Sequence, residues 1–493
     1  MARSSSIGEI VEKYRPVWVL GHSMAVLRWD METHMPDAGA RSRGLALGQL
    51  AVMVQKATLE LDGLVGAAEK SRDLDDVGKG MVRVLKRSLD YYQKVPPKLV
   101  GDLRRTTAEA TVVWRTARKK SDFQLFKPHL DKILRLEREV AERLGYEKHP
   151  YDALMDEFEE GFTVSDADAV FAALIPGIRK ILAKVQSEGN YPAKHPLESR
   201  KYETAAMERV NEGVLELMQM PRDRFRMDVS AHPFTTTIAP EDVRITTRYE
   251  GVDFKSTLFS TVHESGHALY NLGVDGKLAY TPIGGGASFG IHESQSRFWE
   301  NLVGRSREFV RILDPLLRKN LSFIAPYDCD QLYYYFNSVK KSFIRVDADE
   351  LTYNLHIALR YEVEKRLIAG DMRVSEVPEL WNDTFEKYLG MRPRNDAEGV
   401  LQDVHWSGGS FGYFPSYSLG NIVVGMIWHE MKDGEFVREA VGRGDLTSLR
   451  TWLKTRIHRY GATYSPKVLQ EKVFGDAYNP AGLLAYLSEK FAG

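Results

Sequence analysis

Apolar residues recur at helical spacing along most of the chain. Residues 78–93 and 128–144 repeat apolar positions every three or four residues, which is the pattern of an amphipathic α-helix. The apolar positions within residues 45–54 belong to a similar stretch of mixed charge. Pro96–Pro97 interrupts these runs, and the segment 187–200, which contains Gly and Pro, is typical of a loop. We therefore predict a mainly α-helical protein.

One region departs from the helical pattern. Residues 226–250 are rich in β-branched side chains and partly alternate, which predicts two short antiparallel strands. The sequence then predicts a helix containing residues 263–267, a loop with three glycines at 284–286 and another helix beginning near His292. Because small sheets and glycine loops inside a helical protein often build sites, we expect the chemistry here.

Composition and charge narrow the class of protein. The chain has 493 residues, of which 43% are hydrophobic and 27% charged, values that are typical of a globular protein. Lys and Arg number 67 and Asp and Glu 68, so the net charge is −1. A nucleic-acid binder normally carries a basic excess, because phosphate neutralisation supplies most of its affinity. We therefore expect no nucleic-acid partner.

The sequence also predicts a location. Cys329 is the single cysteine, which excludes an intrachain disulfide and fits a reducing cytosol. The first residues carry early charge but only a four-residue apolar run, Val17 to Leu20, which is shorter than a signal peptide needs. The best apolar stretch, around residues 422–428, is far too short to span a membrane. We expect a cytoplasmic protein with no membrane partner.

Residues 263–267 read His-Glu-Ser-Gly-His and predict a metal site. Positions i and i+4 of a helix share one face, so His263 and His267 can present two imidazoles to one tetrahedral ion. Glu264 follows at the edge of this face, where its carboxylate can take a proton from an attacking water. The alternative is a helix on which two histidines stack by coincidence, but burying them and Glu264 without partners would be costly.

A catalytic zinc site needs a third protein ligand and an open fourth position. The sequence offers Glu293, from the helix that begins near His292, and we predict that a second packed helix delivers it to the ion. His292 is the competing choice, since adjacent helical residues point about 100° apart and only one of the two can face the ion. The alternative for Glu293 is a first-turn acid that favours the helix dipole.

At these residues the sequence resembles a known family, the thermostable (Taq-type) metallocarboxypeptidases. The resemblance covers essentially the whole chain and shows no departure at the metal or general-base positions. It rests, besides the histidine helix, on Trp29-Asp30, Met35-Pro36, His232-Pro233-Phe234, Asp242-x-Arg244-x-Thr246, His292-Glu293-Ser294-Gln295, residues 345–353 (RVDADELTY), Gly399-x-x-Gln402-Asp403-x-His405-Trp406, Gly412-Tyr413-Phe414-Pro415 and Ile457-His458-Arg459.

The resemblance implies a fold and an activity. The fold is a large two-lobed helical body, similar to neurolysin, with a deep central groove and a small antiparallel β-sheet beside the active site. We accordingly treat residues 1–493 as a single peptidase domain without a separable boundary. The implied protein is a homodimer with one divalent metal per chain. It removes residues one at a time from peptides that have a free C-terminus. Zinc is the default ion and cobalt the alternative.

The family likeness also suggests catalytic roles. Glu264 acts as the general base towards the attacking water and passes the proton to the leaving amine. The segment 405–417 contains an imidazole and two phenols around a Gly-rich turn. By similarity to related helical zinc peptidases, we assign His405 and Tyr413 to hold the substrate and the developing oxyanion, with Tyr417 in reserve. The alternative for either tyrosine is simple aromatic packing.

An exopeptidase must also read the terminal carboxylate, for which the fork of an arginine is suited. On family likeness Arg345 is the first candidate, and a structural ion pair with the acidic residues that follow it is the alternative. Arg244 is the second candidate, and a structural pair with Asp242 is its alternative. His232 could also contact substrate, although a satisfied loop histidine explains it equally well.

Supporting residues complete the predicted site. Gln295 could hydrogen-bond a metal ligand, Gln402 and Asp403 could do likewise, and His292 has the same role if Glu293 is the ligand.

Two rival functions remain at this point. An endopeptidase or aminopeptidase could use the same His/His/Glu site. A helical binding protein with a structural metal is disfavoured, because closed zinc sites use four protein ligands, often cysteines.

Overall fold

The computed structural model describes residues 5–493, which form twenty α-helices and one small sheet. The mainly helical class predicted from the apolar spacing is confirmed. The helices are α1 (Ser5–Thr33), α2 (Ala40–Leu59), α3 (Asp62–Glu69), α4 (Asp76–Lys94), α5 (Pro97–Lys120), α6 (Phe123–Leu144), α7 (Pro150–Asp156), α8 (Val164–Glu188), α9 (Thr204–Leu217), α10 (Phe254–Gly273), α11 (Phe289–Arg297), α12 (Arg307–Asn320), α13 (Cys329–Phe336), α14 (Tyr353–Ala369), α15 (Val377–Leu389), α16 (Pro415–Glu430), α17 (Glu435–Gly442), α18 (Leu446–Arg456), α19 (Pro466–Phe474) and α20 (Ala481–Ala492).

Each predicted helical stretch lies within an observed helix. Residues 78–93 fall in α4 and residues 128–144 in α6, and both helices bury one apolar stripe. The prolines act as helix starts, because Pro97 and Pro150 each occupy the first turn of α5 and α7, where the missing N–H is not needed. The predicted loop 187–200 contains one 3₁₀ turn, Pro196–Ser199.

The chain divides into two compact units, and each is built from separate stretches of sequence. Unit 1 contains the chain up to Asp90 together with His195–Phe336 and Trp428–Gly475. Unit 2 contains Tyr91–Lys194, Asn337–Ile427 and Asp476–Gly493. Each unit therefore depends on segments that are distant in sequence.

The sheet belongs to unit 1 and has three strands, β1 (Phe225–Val229), β2 (Thr235–Ala239) and β3 (Asp242–Thr247), in the order β1-β3-β2. The predicted antiparallel pair is present as β2 and β3. The sheet is nevertheless mixed rather than antiparallel, because β1 pairs in parallel with β3. The chain reverses direction between β1 and β2, and these two strands lie on opposite sides of β3. The alternation of residues within each strand does not indicate this order.

Helix α10 lies at the centre of unit 1, where it packs on β3, α9 and α11. Its contact with α11 depends on Gly266. A Cβ atom at this position would lie 2.7 Å from the backbone oxygen of Gln295 and 2.7 Å from the Cα atom of Ser296. Any larger residue would push the two helices apart, so the glycine of the His-Glu-Ser-Gly-His motif sets the distance between them.

In unit 2 the central helix is α14, which packs against α6, α7, α8 and α15. It is buried on nearly all sides and contains the polar side chains of His356, Arg360 and Glu364, each fully buried. Buried charges require partners, so this helix organises a polar network inside an otherwise apolar unit. Across residues 5–493, helices long and apolar enough to cross a bilayer are absent.

Candidate active site

The structure brings together the three predicted metal ligands. His263 and His267 project from one face of α10, and Glu293 projects from α11. One donor atom from each lies within 4.8 Å of the others. Glu293 Oε2 is 3.8 Å from His263 Nε2 and 3.6 Å from His267 Nε2. Donors that share one tetrahedral zinc lie roughly 3.3 Å apart, so this set fits a divalent ion after small shifts.

Glu300 and Arg297 orient two of these groups. Glu300 Oε2 lies 2.9 Å from His263 Nδ1 and accepts a hydrogen bond from its N–H, which leaves on Nε2 a lone pair that faces Glu293. Arg297 donates through Nε to Glu293 Oε1 at 2.8 Å and through Nη1 to Glu300 Oε2 at 3.1 Å. Arg305 donates to the other oxygen of Glu300. His263 and Glu293 are thus each held by a neighbour at the atom that does not face the centre.

A chain of hydrogen bonds fixes the tautomer of His267. Its Nδ1 lies 2.6 Å from His292 Nδ1, and His292 Nε2 lies 3.1 Å from Asn271 Oδ1. An amide oxygen only accepts, so His292 carries its proton on Nε2 and accepts on Nδ1 from His267. His267 Nε2 is then unprotonated and faces Glu293. Burial lowers the pKa of His267 and brings the pKa of His292 to about 4, so both rings are neutral.

Glu264 is buried at the edge of the same centre, with 7% of its surface exposed. Thr235, on β2, donates from its hydroxyl to Glu264 Oε2 at 2.5 Å. Burial raises the pKa of Glu264, whereas His263 and the Thr235 hydrogen bond oppose the rise. Burial lowers the pKa of His263, but Glu293 and Glu300 raise it above the ordinary value. The carboxylates of Glu264, Glu293 and Glu300 lie around the His263 imidazole, so this centre attracts a cation.

In unit 2, two guanidinium groups share one carboxylate. Arg345 donates through Nε to Asp403 Oδ1 at 2.9 Å, and Arg360 donates through Nε to Asp403 Oδ2 at 2.7 Å. Gln402 Oε1 accepts from the backbone N–H of Arg345 and from Arg360 Nη2. Arg345 also donates through Nη1 to the hydroxyl of Tyr353. Through these hydrogen bonds one carboxylate serves two guanidinium groups and does not neutralise both, which suits an anionic ligand.

The predicted His405, Tyr413 and Tyr417 form one aromatic cluster in unit 2. The centroid of the His405 ring lies 5.6 Å from that of Tyr413 and 6.3 Å from that of Tyr417. The guanidinium carbon of Arg345 lies 5.2 Å from the Tyr417 centroid. Burial lowers the pKa of His405 to about 4, so its imidazole is neutral near pH 7. The Nδ1 atom of His405 is buried and has no hydrogen-bond partner within residues 5–493.

Several other predicted residues have partners away from the metal ligands. Arg244 forms two hydrogen bonds with Asp242 on the same strand and lies over Trp29, with its guanidinium carbon 4.3 Å from the ring centroid. This is the structural pairing that the sequence left open. His232 is exposed. The hydrogen bonds of Gln295 go to His458 and Ser294 rather than to a metal ligand.

Gln402 and Asp403 likewise support arginines and not the metal ligands, because their side chains bind Arg345 and Arg360.

Sequence reasoning missed several residues of these clusters. Glu293, Arg297 and Glu300 are spaced i, i+4 and i+7, which is the signature of one helical face and could have identified the last two. Residues 298–304 continue α11 as a π-helix, and this segment carries Glu300. Thr235 is 29 residues from Glu264 and on another element, so no local pattern could have found it.

Comparison with known proteins identifies the family. A family model described as "Carboxypeptidase Taq (M32) metallopeptidase" matches residues 9–491. Thermostable carboxypeptidase 1 of Pyrococcus furiosus is 44% identical over 493 residues, which covers 99% of each chain. Carboxypeptidase 1 of Bacillus subtilis is 35% identical over 481 residues, which covers 95% of each chain.

Solved structures give the same result. The carboxypeptidase of Pyrococcus furiosus, 44% identical, superposes with a TM-score of 0.98 over 99% of both chains. Metallocarboxypeptidase 1 of Trypanosoma cruzi, 32% identical, superposes with a TM-score of 0.93 over 99% of both chains. The fold class and the metallocarboxypeptidase function predicted from the sequence are confirmed, and the alternative endopeptidase or aminopeptidase is not favoured. The chain belongs to the Taq-type (M32) metallocarboxypeptidase family.

Proposed function

We propose that this metallocarboxypeptidase holds one zinc ion through His263, His267 and Glu293. The observation that carries the proposal is the convergence of the three donor atoms within 4.8 Å beside a buried Glu264. When bound, a divalent ion supplies Lewis acidity, which polarises the scissile carbonyl and acidifies water. Imidazole and carboxylate donors also accept cobalt, which is the second candidate.

Glu264 is the general base of the proposed reaction. Thr235 occupies its Oε2 atom, so we assign the proton transfer to Oε1. Burial raises the pKa of this carboxyl group, and a more basic carboxylate takes a proton from water more readily. Glu264 then delivers the same proton to the leaving amine, so that one side chain serves both halves of the peptide-bond cleavage.

The unit 2 cluster supplies the groups for substrate recognition in this proposal. Arg345 binds the terminal carboxylate of the peptide, and the physical reason is that Arg345 shares Asp403 with a second guanidinium group, so this carboxylate does not neutralise both. His405 and Tyr413 donate hydrogen bonds to the substrate carbonyl as negative charge develops on it. His405 acts as a neutral donor, because its lowered pKa keeps the ring unprotonated near pH 7.

Metal analysis combined with a peptide assay tests the function. Purified protein is analysed for bound metals and then incubated with two forms of one peptide, the free acid and the C-terminal amide. We expect about one divalent ion per chain and stepwise release of residues from the C-terminus of the free acid alone. Internal cleavage, or release of residues from the N-terminus, would contradict the proposal.

We also propose a cytoplasmic homodimer. The family resemblance suggests the dimer, and the exposed apolar side chains of Leu45, Val52 and Met53 on α2 supply a surface that a second copy could cover. The reduced single cysteine fits the cytoplasm. Light scattering of the wild type and of Leu45→Lys tests the dimer, with a shift towards monomer expected for the variant.

A further inference from the structure

A fully buried carboxylate on α14 accepts three hydrogen bonds that are not explained by the site described so far. Trp406 donates from its indole Nε1 to Glu364 Oε1 at 2.7 Å. The backbone N–H of Gly412 donates to Oε2 at 3.0 Å, and the hydroxyl of Tyr151 donates to the same oxygen at 2.5 Å. The exposed fraction of Glu364 is 0%. Such a group is costly to bury unless it is hydrogen-bonded, and here both of its oxygens accept hydrogen bonds.

Two of the three donors are the first and last residues of one turn, Trp406–Gly412. His405 immediately precedes this turn and Tyr413 immediately follows it. Gly412 has φ of +89°, and a Cβ atom there would lie 2.6 Å from the backbone oxygen of Leu154 on α7. The glycine therefore lets the end of the turn approach α7, while its N–H is directed at Glu364. The turn has both ends fixed by a single side chain.

We propose that Glu364 is a positioning residue, whose two carboxylate oxygens hold the ends of the Trp406–Gly412 turn and thereby set where His405 and Tyr413 stand. The inference rests on the function proposed above for His405 and Tyr413. One residue can control both because each is the chain neighbour of a residue that Glu364 binds: His405 precedes Trp406, and Tyr413 follows Gly412. A displacement of about 1 Å at a substrate-contacting group can reduce turnover about a hundredfold.

The chemistry of the donors explains why a carboxylate is needed. An indole N–H and a backbone N–H can only donate, so the residue between them must accept at both ends. Glutamine has the same shape but one accepting end, so its NH₂ group would face one of the two donors. Burial raises the pKa of Glu364 to about 7, and the three hydrogen bonds and Arg360 oppose the rise. Full ionisation, with two accepting oxygens, is reached above neutral pH.

The experiment compares Glu364→Gln with a matched control on the same carboxylate. Tyr151→Phe removes one donor to Oε2 and leaves both bonds to the turn. Steady-state kinetics on a free-acid peptide, metal content and thermal unfolding are measured for both variants at pH 8. We expect kcat to fall about tenfold to a hundredfold in Glu364→Gln with metal content and KM little changed, and by less than about threefold in Tyr151→Phe.

A double-mutant cycle distinguishes a positioning role of Glu364 from a general contribution to the stability of the fold. If Glu364 acts through His405, the loss caused by Glu364→Gln shrinks strongly in a His405→Ala background. Additive losses in the double variant, or equal losses of kcat in Glu364→Gln and Tyr151→Phe, would overturn the inference. If Glu364→Gln does not fold, Trp406→Phe replaces it in the cycle, because this variant removes only one hydrogen bond to the carboxylate and part of one ring.

The same cycle distinguishes the two proposals. Near-wild-type activity of His405→Ala and of Tyr413→Phe would show that the roles proposed for these residues are wrong, and the positioning inference would fall with them. A large loss in both of these variants together with an unaffected Glu364→Gln would overturn the positioning inference alone.

Discussion

The two polar clusters carry charge excesses of opposite sign. In unit 1, the carboxylates of Glu264, Glu293 and Glu300 accompany the guanidinium groups of Arg297 and Arg305, which leaves an excess of negative charge around two imidazoles. In unit 2, two guanidinium groups share one carboxylate. The first arrangement attracts a cation and the second an anion. In each cluster the more numerous charged groups therefore indicate the charge of the ligand, which is opposite to their own.

The clusters also differ in how they are assembled. The proposed metal ligands of unit 1 lie within 31 positions, on α10 and α11, so a local sequence motif specifies them. The unit 2 arginines are held by residues more than 40 positions away, Asp403 and Gln402. A metal centre can be recognised from spacing, whereas an anion site built from distant partners is recognised from the fold. Variants of residues in the two units test this contrast.

The largest loss is expected for Glu264→Gln. The amide keeps the shape and the Thr235 contact but cannot take a proton, so kcat should fall by about 10²–10⁴ while bound metal is retained. Kinetics and metal analysis on the same preparation measure this. Near-wild-type turnover in the metal-replete variant would remove Glu264 from the mechanism.

Arg345→Lys tests the anion site in unit 2. Lysine keeps the charge but loses the planar fork, so KM for a free-acid peptide should rise about tenfold to a hundredfold, while hydrolysis of the amide stays low and unchanged. Arg244→Lys is the matched control, because Arg244 is already paired with Asp242. A larger effect in the control than in Arg345→Lys would reverse the assignment of the two arginines.

Glu300→Gln tests the support of the metal ligands in unit 1. The amide can still accept from His263 but no longer carries the charge, so metal affinity should fall about 10- to 100-fold, and excess metal should restore activity. Competition with a chelator measures the affinity. Glu308→Gln, in the first turn of α12, is the control, for which we expect no change. Loss of activity that excess metal fails to restore would point to a different role for Glu300.

The smallest effect concerns pH. Burial lowers the pKa of His405 to about 4, so the ring loses its proton well below the ordinary value of 6.5 and stays neutral at higher pH. The ratio of kcat/KM between the wild type and His405→Gln should therefore stay constant from about pH 5.5 to 8. A change in this ratio with an apparent pKa near 6.5 would mean that His405 titrates in the working range.

The sequence by itself determined the helical class and the family, and it predicted which three residues could hold a metal. The class and the candidate ligands follow from local spacing: apolar residues every three or four positions select a helix face, and His263, His267 and Glu293 sit on two successive helices. The family followed from motifs spread along the whole chain. The pairing of the strands was harder to predict from the sequence. The parallel partner of β3 depends on how the chain returns after β1, which strand alternation does not encode.

Only the tertiary structure decided which side chains support the functional ones. Thr235 meets Glu264 across 29 positions, and Glu364 meets Trp406 across 42. It also showed that Arg244 has its own carboxylate whereas Arg345 shares one with Arg360. The physical reason is that hydrogen bonds and ion pairs between distant segments depend on packing, and packing is a property of the whole fold rather than of any stretch of sequence.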